Sequence, residues 1–281
     1  MRRTDVCGLV AEVGPSVPGL KPGDRVFGMA TSFLTGNNDH AAHQEYTILK
    51  ATSTALLPDN LSFRQGATLP TAVATATMGL FDALALPRET DANAGAGILI
   101  WGGASSVGSM AVQLARRAGL TVFTTASERH HAHLKKLGAS AVVDYRSPTA
   151  MEDLILAAAR AKTEIPYAID AISTKETLPT VLRILHASQT TEKKLAYTLP
   201  WPENIDGPDG IEATRIIASD IGSRRKDLAI WMCGDVLPKW LENREVVPQE
   251  QKVIDGGLNA IQNGLDLVRN GVSGEKVVVE L

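Results

Sequence analysis

The hydrophobic positions of the chain change period abruptly near its centre. The apolar run at 98–101 has the length of a strand and is followed at once by small residues. Between 109 and 119 the apolar side chains recur every three or four residues, as on the buried face of an amphipathic helix. A second segment of strand length, rich in threonine with Val122 and Phe123, follows at 121–125. The pattern predicts a strand, a tight turn, a helix and a second strand, which is a unit of βαβ size.

Strands and helices continue to alternate after this unit. The pattern predicts helices at 128–137, 149–161 and 175–185, and strands at 141–144, 167–170 and 194–198. Because short loops join these segments, they are expected to form a parallel sheet covered by helices on both faces. The predicted fold class is therefore α/β, with a doubly wound parallel sheet.

Short strands separated by glycine and proline dominate the first 58 residues. We predict strands at 6–13, 25–29 and 45–49, which favours a small barrel or sandwich. A helical region interrupted by Pro70 follows at 62–85.

The C-terminal part of the chain is less regular. Residues 200–223 have no clear period, and helices are predicted at 226–242 and 249–270 before a final strand at 276–281. This strand has no predicted partner near it in sequence. We therefore expect it to return to the N-terminal β region.

Composition and charge narrow the class of protein. The 281 residues include 28 basic and 31 acidic side chains, a net charge of -3, which gives no support to a nucleic-acid or membrane-surface partner. No signal peptide or apolar run of membrane-spanning length is present in the sequence, so a cytoplasmic protein is expected. Cys7 and Cys233 are the only cysteines and are expected to be buried, inert thiols.

The turn after the first strand of the βαβ unit is rich in glycine. Gly102, Gly103 and Gly108 leave room for an anion to approach the backbone at the start of the following helix. The dinucleotide fingerprint G-x-G-x-x-G is matched at its first and third glycines by Gly103 and Gly108, whereas Ser105 replaces the second.

The donors of this turn suit a pyrophosphate. We expect the phosphates to lie over the backbone N–H groups of Ser106, Val107 and Gly108, with the hydroxyls of Ser105 and Ser106 as further donors. The alternative is an ordinary strand-to-helix turn in which Ser105 is only the N-cap.

The end of the second strand indicates which dinucleotide would bind. NAD enzymes usually place an acidic residue there to accept from the ribose hydroxyls, whereas this chain has Ser127 followed by Glu128 and Arg129. A neutral serine beside a cation suits a 2′-phosphate, so NADPH is the expected cofactor. Glu128 argues against this interpretation, and Ser127 and Arg129 could instead be an N-cap and a solvated surface residue.

Several ordered motifs resemble the medium-chain dehydrogenase/reductase superfamily. The likeness spans almost the whole chain and is carried by residues 5–14, 21–28, 102–108, 137–139 with 144–146, and 273–279. In detail, the sequence is similar to zinc-independent, NADPH-using members, namely quinone oxidoreductases and the stand-alone enoyl reductases of fungal polyketide pathways.

This resemblance implies a domain organisation. It implies a partial GroES-like catalytic domain at 1–85, a Rossmann NADPH-binding domain at 86–235, and a C-terminal return to the catalytic domain at 236–281, with the cofactor between the two domains. Relatives carry further strands before the position that matches Asp5, so the resemblance implies a truncated gene product, a fragment or a degenerate relative.

The resemblance also implies roles for single residues. Tyr145 matches a tyrosine beside the 2′-phosphate, and Thr75 matches a threonine near the nicotinamide ribose. The alternatives are a strand-end aromatic for Tyr145 and close helix packing for Thr75. Asp170 ends a predicted strand and either faces the cofactor or caps the next helix.

The zinc-dependent branch is not favoured. Its Gly-His-Glu motif would fall on Arg3, Thr4 and Asp5, so the histidine ligand is replaced by threonine. His40 and His43 lie in a polar loop without a cysteine partner and are expected to be solvated.

The leading hypothesis is an NADPH-dependent, zinc-independent reductase of an activated C=C bond or a quinone. It would take a small apolar unsaturated substrate, with a polyketide synthase as the partner that the resemblance implies, and would be a monomer or homodimer. Tyr46, a tyrosine in a preceding segment and water are open candidates for the proton donor. The alternative is a catalytically silent NADPH-binding or partner-binding protein.

Overall fold

The computed structural model describes residues 4–281. Within that range the chain forms eleven strands, β1 (Asp5–Leu9), β2 (Arg25–Met29), β3 (Thr54–Leu56), β4 (Ala96–Trp101), β5 (Thr121–Thr125), β6 (Ala141–Val143), β7 (Glu164–Asp170), β8 (Lys194–Tyr197), β9 (Glu212–Arg215), β10 (Glu250–Ile254) and β11 (Glu275–Val279).

The α-helices are α1 (Ser32–Thr35), α2 (Phe63–Gly66), α3 (Pro70–Met78), α4 (Ser106–Arg117), α5 (His131–Leu137), α6 (Ala150–Arg160), α7 (Thr177–Ala187), α8 (Lys226–Ala229), α9 (Leu237–Glu242) and α10 (Ile261–Arg269). Two π-helical segments follow α3 and α8, at Gly79–Ala83 and Ile230–Val236. Short 3₁₀ turns lie at Asn38–His40, Ala51–Ser53, Thr90–Asn93, Glu128–His130, Ala218–Gly222 and Gly257–Ala260.

The chain divides into two compact units. One unit contains the described residues up to Ala74 together with Ala218–Leu281, and the other is the uninterrupted stretch Thr75–Ile217. The divisions predicted from the sequence lie at 85/86 and 235/236 instead. The structure divides the chain at 74/75 rather than 85/86 because residues after Ala74 pack on the second unit. A Cβ built at Gly79, for example, would lie 3.0 Å from Ile216 and 3.1 Å from Ile169, both in the second unit.

The second unit contains a six-stranded sheet in the order β6-β5-β4-β7-β8-β9, and every pair is parallel. Strand order reverses direction at β4, which therefore has β5 and β6 on one side and β7 to β9 on the other. This confirms the predicted doubly wound α/β sheet. In such sheets ligands bind at the carboxyl ends of the strands, beside the point of reversal.

The apolar runs become the centre of this sheet. Ile98, Leu99 and Ile100 of β4 are completely buried, as expected of a strand with helices on both faces. On one face, the core around Leu99 contains Leu154 of α6 and Val181 of α7. The buried side chains hold the strands and helices in fixed register. The loops that follow the strands are therefore held in place at the carboxyl edge of the sheet.

The sixth strand was not predicted. Residues 212–215 lie in the segment expected to be irregular, yet β9 pairs in parallel with β8, with Leu195 opposite Ala213. This short strand is only half-buried along its centre and exposed at Glu212 and Arg215. A strand at the edge of a sheet needs few apolar residues, so its hydrophobic signal is weak.

The first unit contains two small sheets. β1, β2 and β3 form an antiparallel sheet in that order, and β10 pairs in parallel with β11. Asp5 and Lys276 connect the two sequence segments of this unit through an ion pair whose side chains are each 17% exposed. Asn60 does the same through a hydrogen bond from Nδ2 to the Glu242 carbonyl at 3.0 Å.

Three predictions in the first unit were wrong. The strand predicted at 45–49 is an irregular segment, where the Ile48 N–H donates to the Asp39 carbonyl at 2.8 Å. The helix predicted at 249–270 begins only at Ile261, because residues 250–254 are β10 and the consecutive left-handed Gly256 and Gly257 turn the chain between them. β11 consequently pairs with β10 rather than with an N-terminal strand.

Candidate cofactor site

The turn between β4 and α4 is tied to the end of β5. The Gly102 N–H donates to Thr125 Oγ1 at 3.0 Å, and the Gly103 N–H donates to the Thr125 carbonyl at 2.9 Å. Thr124 and Thr125 are both fully buried. The glycine turn therefore lies at the carboxyl edge of the sheet, beside the reversal of strand order.

Each of the three glycines is required by close packing. A Cβ at Gly102 would lie 2.6 Å from Ile172 Cγ1, and this residue has a φ of +81°. A Cβ at Gly103 would overlap the Thr124 hydroxyl, and one at Gly108 would overlap the Gly102 carbonyl. The missing side chains bring the start of α4 against the sheet, which leaves the backbone uncovered for an anion.

Ser105 is the N-cap of α4. Its Oγ accepts from the Gly108 N–H at 3.0 Å and donates to the Gly102 carbonyl at 2.8 Å. Ser105 therefore does act as an N-cap, and two donors expected to be available for a phosphate, the Ser105 hydroxyl and the Gly108 N–H, are used within the turn. Ser106 and Val107 form the first turn of α4, which carries no acidic side chain to compete with an anion.

Ser127 and Arg129 follow β5. The Ser127 side chain is 8% exposed and makes no capping hydrogen bond to the short 3₁₀ turn that follows it. Arg129 Nε donates to His130 Nε2 at 3.2 Å. Burial lowers the pKa of His130, and the charges of Arg129, His133 and His131 lower it further, in that order. This imidazole is therefore mainly neutral near pH 7 and can accept from the Arg129 guanidinium.

Tyr145 and Arg146 follow the neighbouring strand β6. Tyr145 is 47% exposed, and the Arg146 guanidinium lies over its ring at 5.1 Å from the centroid. The Ala126 N–H donates to the Val143 carbonyl at 3.0 Å, so the two strand ends are hydrogen-bonded neighbours. Ser127 and Arg129 thus share the carboxyl edge of the sheet with Tyr145 and Arg146.

Arg146 is the residue that sequence reasoning missed. It was noted only as part of a family motif, although a second basic residue directly after Tyr145 was visible in the sequence. Its backbone N–H donates to Asp144 Oδ1 at 2.9 Å, which closes the turn after β6 and directs the side chain across the tyrosine ring. Two guanidinium groups therefore follow the adjacent strands β5 and β6.

Asp170 ends β7 on the other side of β4. Its buried carboxylate accepts from the N–H groups of Ile172 at 2.9 Å and Ser173 at 2.8 Å, and from Thr177 Oγ1 at 2.6 Å. Burial raises the pKa of Asp170, while these hydrogen bonds oppose the shift. Asp170 therefore holds the loop that leads into α7.

Thr75 lies on α3 and is 7% exposed. This burial suits the packing role that sequence analysis gave as the alternative, and the assignment to a nicotinamide ribose stays a prediction.

A separate apolar groove of about 1370 Å³ lies within the first unit. Strands β1 and β11 and helix α10 form much of its wall, and the exposed Tyr46 lies at it. It contains no residue of the glycine turn or of the strand ends β5 and β6. The groove is therefore not part of the candidate cofactor site.

The fold and the glycine turn define the class: a dehydrogenase with a Rossmann sheet and a second, GroES-like β-rich unit. The zinc-binding dehydrogenase family model matches residues 106–190. Dehydrogenase azaJ of Aspergillus niger is 35% identical, with 99% of this chain and 81% of that protein aligned. Trans-enoyl reductase himH of Aspergillus japonicus is 33% identical over 99% of this chain and 80% of its own.

The fold is also shared with a mycobacterial protein solved in complex with NADPH. That structure has a TM-score of 0.72 and 21% identity, covering 99% of this chain and 81% of its own. The chain belongs to the medium-chain dehydrogenase/reductase family. It is an oxidoreductase of the branch that includes fungal dehydrogenases and trans-enoyl reductases.

The family that matches is one of zinc-binding dehydrogenases. In the described part of the chain, no three His, Cys, Asp or Glu side chains converge where they could hold a metal ion. The residues present therefore do not fit a catalytic zinc site, which needs three protein ligands. Arg3, one of the positions that match the zinc motif, lies outside the described residues.

Over residues 4–281, each helix is too short or too polar to cross a membrane.

Proposed function

We propose that this chain is an NADPH-dependent reductase that adds hydride to an activated carbon–carbon double bond. The observation that carries the proposal is the pair of guanidinium groups, Arg129 and Arg146, beside the strand ends where a dinucleotide places its adenosine ribose. The relatives named trans-enoyl reductase support the reaction class, and the NADPH-bound mycobacterial structure supports the cofactor.

Residues at the carboxyl edge of the sheet would hold the pyrophosphate and the adenosine end of the dinucleotide. The uncovered backbone at the start of α4 would bind the pyrophosphate, with the positive end of the helix dipole facing it. Ser127 offers a neutral group where a carboxylate would repel a 2′-phosphate. Arg129 would donate to that phosphate, and Tyr145 with Arg146 stacked on its ring would form the other side of the pocket.

The chemistry divides between cofactor and chain. When bound, the reduced nicotinamide supplies the hydride. The chain's own residues would hold the dinucleotide in place, because the Ser105 cap fixes the start of α4 and Thr125 fixes the glycine turn against β5. A substrate of this reaction is small, apolar and unsaturated. Quinones are the second substrate class to be screened, and a polyketide synthase is the proposed partner.

The proposal is tested with Arg129→Ala. We expect this variant to weaken NADPH binding at least tenfold, about 1.4 kcal/mol, because a charge-assisted hydrogen bond to the 2′-phosphate is lost. NADH has a hydroxyl at that position, so its affinity should change much less. Isothermal titration calorimetry with both dinucleotides measures the ratio directly.

The matched control is Arg160→Ala, which removes an exposed guanidinium at the end of α6. Its NADPH/NADH ratio should equal that of the wild type. Equal small losses of NADPH and NADH affinity in Arg129→Ala would remove the 2′-phosphate assignment. Wild-type protein that binds NADPH but reduces no enone, enoyl thioester or quinone would instead support the catalytically silent alternative.

A further inference from the structure

The surface formed by helices α4 and α5 is more basic than the rest of the chain. Residues 105–137, which contain both helices, include five lysine and arginine residues and three histidines but a single carboxylate, that of Glu128. The whole chain has 28 basic and 31 acidic side chains. Positive charge is therefore concentrated in one part of a protein that is acidic overall, and such a concentration attracts partners of opposite charge.

The basic side chains of α5 lie on its solvent-exposed side. Leu134 is completely buried and packs near β5, because a Cβ at Gly103 would lie 3.3 Å from Leu134 Cδ1 and would overlap the Thr124 hydroxyl. The residues that flank Leu134 in sequence are exposed and basic: His133, Lys135 and Lys136. Helix α5 therefore packs on the sheet through one side and presents the other side to solvent.

Arg116 at the end of α4 extends this surface. It is exposed, and a side chain at Gly138 would overlap its Cδ atom, so Arg116 lies across the C-terminal end of α5. Four residues form one surface, which we call the basic face: Arg116, His133, Lys135 and Lys136. Within residues 4–281 none of these four side chains takes part in an ion pair. Their charges are therefore compensated by solvent alone.

Two exposed arginines elsewhere in the chain have carboxylate partners close in sequence. Arg269 pairs with Asp266, and Arg224 pairs with Asp220, at spacings of three and four residues. Such pairs are the usual way in which exposed helix charges are balanced. No carboxylate lies three or four residues from any member of the basic face. The helix dipole favours cations in the last turns of α4 and α5, but it does not explain why these cations are left unbalanced.

The shape of the basic face suits an elongated partner. Helix α5 has seven residues, which span about 10 Å at 1.5 Å per residue, and Arg116 continues the face past the end of this helix. Because side chains on the outside of a helix diverge, a single anion would contact only part of the face. His133 and Lys136 are one turn apart, which is the spacing at which a second helix would present its carboxylates. The exposed Ala132 beside them leaves room for a close approach.

Carboxylates border the basic face on two sides. Thr90 Oγ1 donates to the Arg117 carbonyl at 3.0 Å, which places Glu89 and Asp91 near the end of α4. Glu128 lies in the turn that precedes α5. A nucleic acid needs a long run of cations along its phosphates, and here such a chain would meet carboxylates on both sides. The borders therefore favour a short element of a protein partner.

We propose that the basic face is a docking site for an acidic, amphipathic helix of a protein partner. Carboxylates on that helix would compensate the charges of Arg116, Lys135 and Lys136, and its small or apolar residues would pack on Ala132 and on the lysine stems. None of the four residues of the basic face belongs to the candidate cofactor site. The inference therefore goes beyond the proposed function and does not depend on it.

The probe for this inference is a synthetic, fluorescein-labelled helix of about 20 residues, rich in alanine so that it is helical in water, with glutamates along one side. Fluorescence anisotropy should show saturable binding of this acidic peptide to the full chain at low salt. A peptide of the same composition, with its glutamates spread around the helix, should bind at least tenfold more weakly. Added salt should weaken the binding, because exposed charges are screened.

The charge reversal Lys135→Glu with Lys136→Glu should weaken binding of the acidic peptide at least tenfold. A peptide with lysine in place of each glutamate should bind this variant and not the wild type, because the attraction depends on opposite charge. The matched control is Arg160→Glu with Arg183→Glu, which changes the net charge equally at exposed residues of α6 and α7. Its affinity for the acidic peptide should stay within a factor of two of the wild type.

The neutral variant Lys135→Gln with Lys136→Gln keeps the test decisive if the charge reversal disturbs folding. Its circular dichroism spectrum should match that of the wild type, and its affinity for the acidic peptide should lie between those of the control and the charge reversal. Both lysine variants should bind NADPH as the wild type does.

Any of four results would overturn the inference. They are the absence of saturable binding to the wild type, equal binding of the two acidic peptides, equal losses in the lysine variants and the control, and stronger binding of a single-stranded oligonucleotide of the same charge. The last result would make the basic face a general polyanion site. The proposed function fails separately: a wild type that binds the acidic peptide but not NADPH overturns that proposal and leaves the inference in place.

Discussion

Both cysteine thiols are held in their protonated form by burial. Burial raises the pKa of Cys7 to about 12, which the charge of Arg25 only partly opposes, and burial alone raises the pKa of Cys233 to about 12. Cys7 Sγ packs in the space left by the missing side chain of Gly66, beside Leu57. The expectation of inert thiols from the sequence is consistent with these surroundings.

We predict that neither thiol reacts readily with Ellman's reagent at pH 8 in the native protein. The thiolate is the reactive form, and four pH units below the pKa only about one thiol in ten thousand is ionised. Unfolding in guanidinium should expose Cys7 and Cys233 together. Both should then react within minutes, and each should release one equivalent of the coloured thionitrobenzoate anion. Rapid modification of one thiol under native conditions would contradict the raised pKa at that residue.

At the scale of elements, the start of α4 combines a cap with a candidate anion site. Ser105 closes the first turn through the Gly108 N–H, and the first turn of α4 contains no carboxylate. A capping residue and an anion use the same backbone donors and the same end of the helix dipole. Stability and ligand affinity can therefore be separated by changing the charge of the cap.

Ser105→Asp is the change that separates them. Aspartate is as good an N-cap as serine and can keep the hydrogen bond from the Gly108 N–H, but it cannot donate to the Gly102 carbonyl as the Ser105 hydroxyl does. The free energy of unfolding should therefore fall less in this variant than in Ser105→Ala, which loses both hydrogen bonds. Its negative charge would repel the pyrophosphate, so NADPH affinity should fall at least tenfold. Urea denaturation and calorimetric titration measure the two effects on the same sample.

Ser105→Ala is the control, because it should lower stability more and NADPH affinity less than Ser105→Asp does. It removes the cap and should lower the free energy of unfolding by about 1 kcal/mol. It adds no charge, so its NADPH affinity should exceed that of Ser105→Asp. Unchanged NADPH binding in Ser105→Asp would place the phosphates elsewhere.

The sequence predicted the elements with strong periodicity and missed those formed by tertiary contacts. β4, β5 and α4 were recognisable because their apolar residues are buried on both faces of a central strand or along one helix face. β9 and β10 are short and half-exposed, so their partners rather than their own sequence make them strands. Residues 249–270 were predicted as a single helix. The break at Gly256 and Gly257 was missed because it depends on the left-handed backbone that these two glycines adopt.

The candidate site was predictable to a similar degree. Glycines and Ser127 follow a known spacing, so their place at the carboxyl edge of the sheet could be expected. The stacking of Arg146 on Tyr145 could not, because it depends on the turn that Asp144 closes after β6. The packing of Ile172 beside Gly102 could not be predicted either, since it joins two loops that are far apart in sequence.

At the scale of the whole molecule, one ion pair connects the two ends of the described chain. Asp5 Oδ2 pairs with Lys276 Nζ, while Asp5 Oδ1 accepts from the Thr71 N–H at 2.6 Å and Lys276 Nζ also donates to the Thr68 carbonyl at 3.2 Å. Both side chains are largely buried, so each group depends on its partner for compensation of its charge.

A double-mutant cycle with Asp5→Asn and Lys276→Met should therefore give a coupling of about 1–3 kcal/mol in the free energy of unfolding. Each single variant leaves a buried charge without its partner, so the double variant should be less destabilised than the sum of the two. Urea denaturation of the four proteins gives the coupling.

The pair Arg64 and Glu280 is the matched comparison, because it also joins the two segments but has side chains that are 45% and 47% exposed. Water screens it, so its coupling should be the smaller of the two and should fall further in high salt. Equal coupling in the two cycles would show that burial does not strengthen the Asp5–Lys276 pair.

The division of the chain has a consequence for its synthesis. The second unit is one uninterrupted stretch, whereas the first needs residues from both sides of it. On the ribosome, Thr75–Ile217 can fold as soon as it emerges, whereas the first unit is completed only after residues 218–281 have been translated. During that interval the apolar side chains that residues 218–281 cover in the folded unit would be exposed, so we expect the first unit to be the one that molecular chaperones bind.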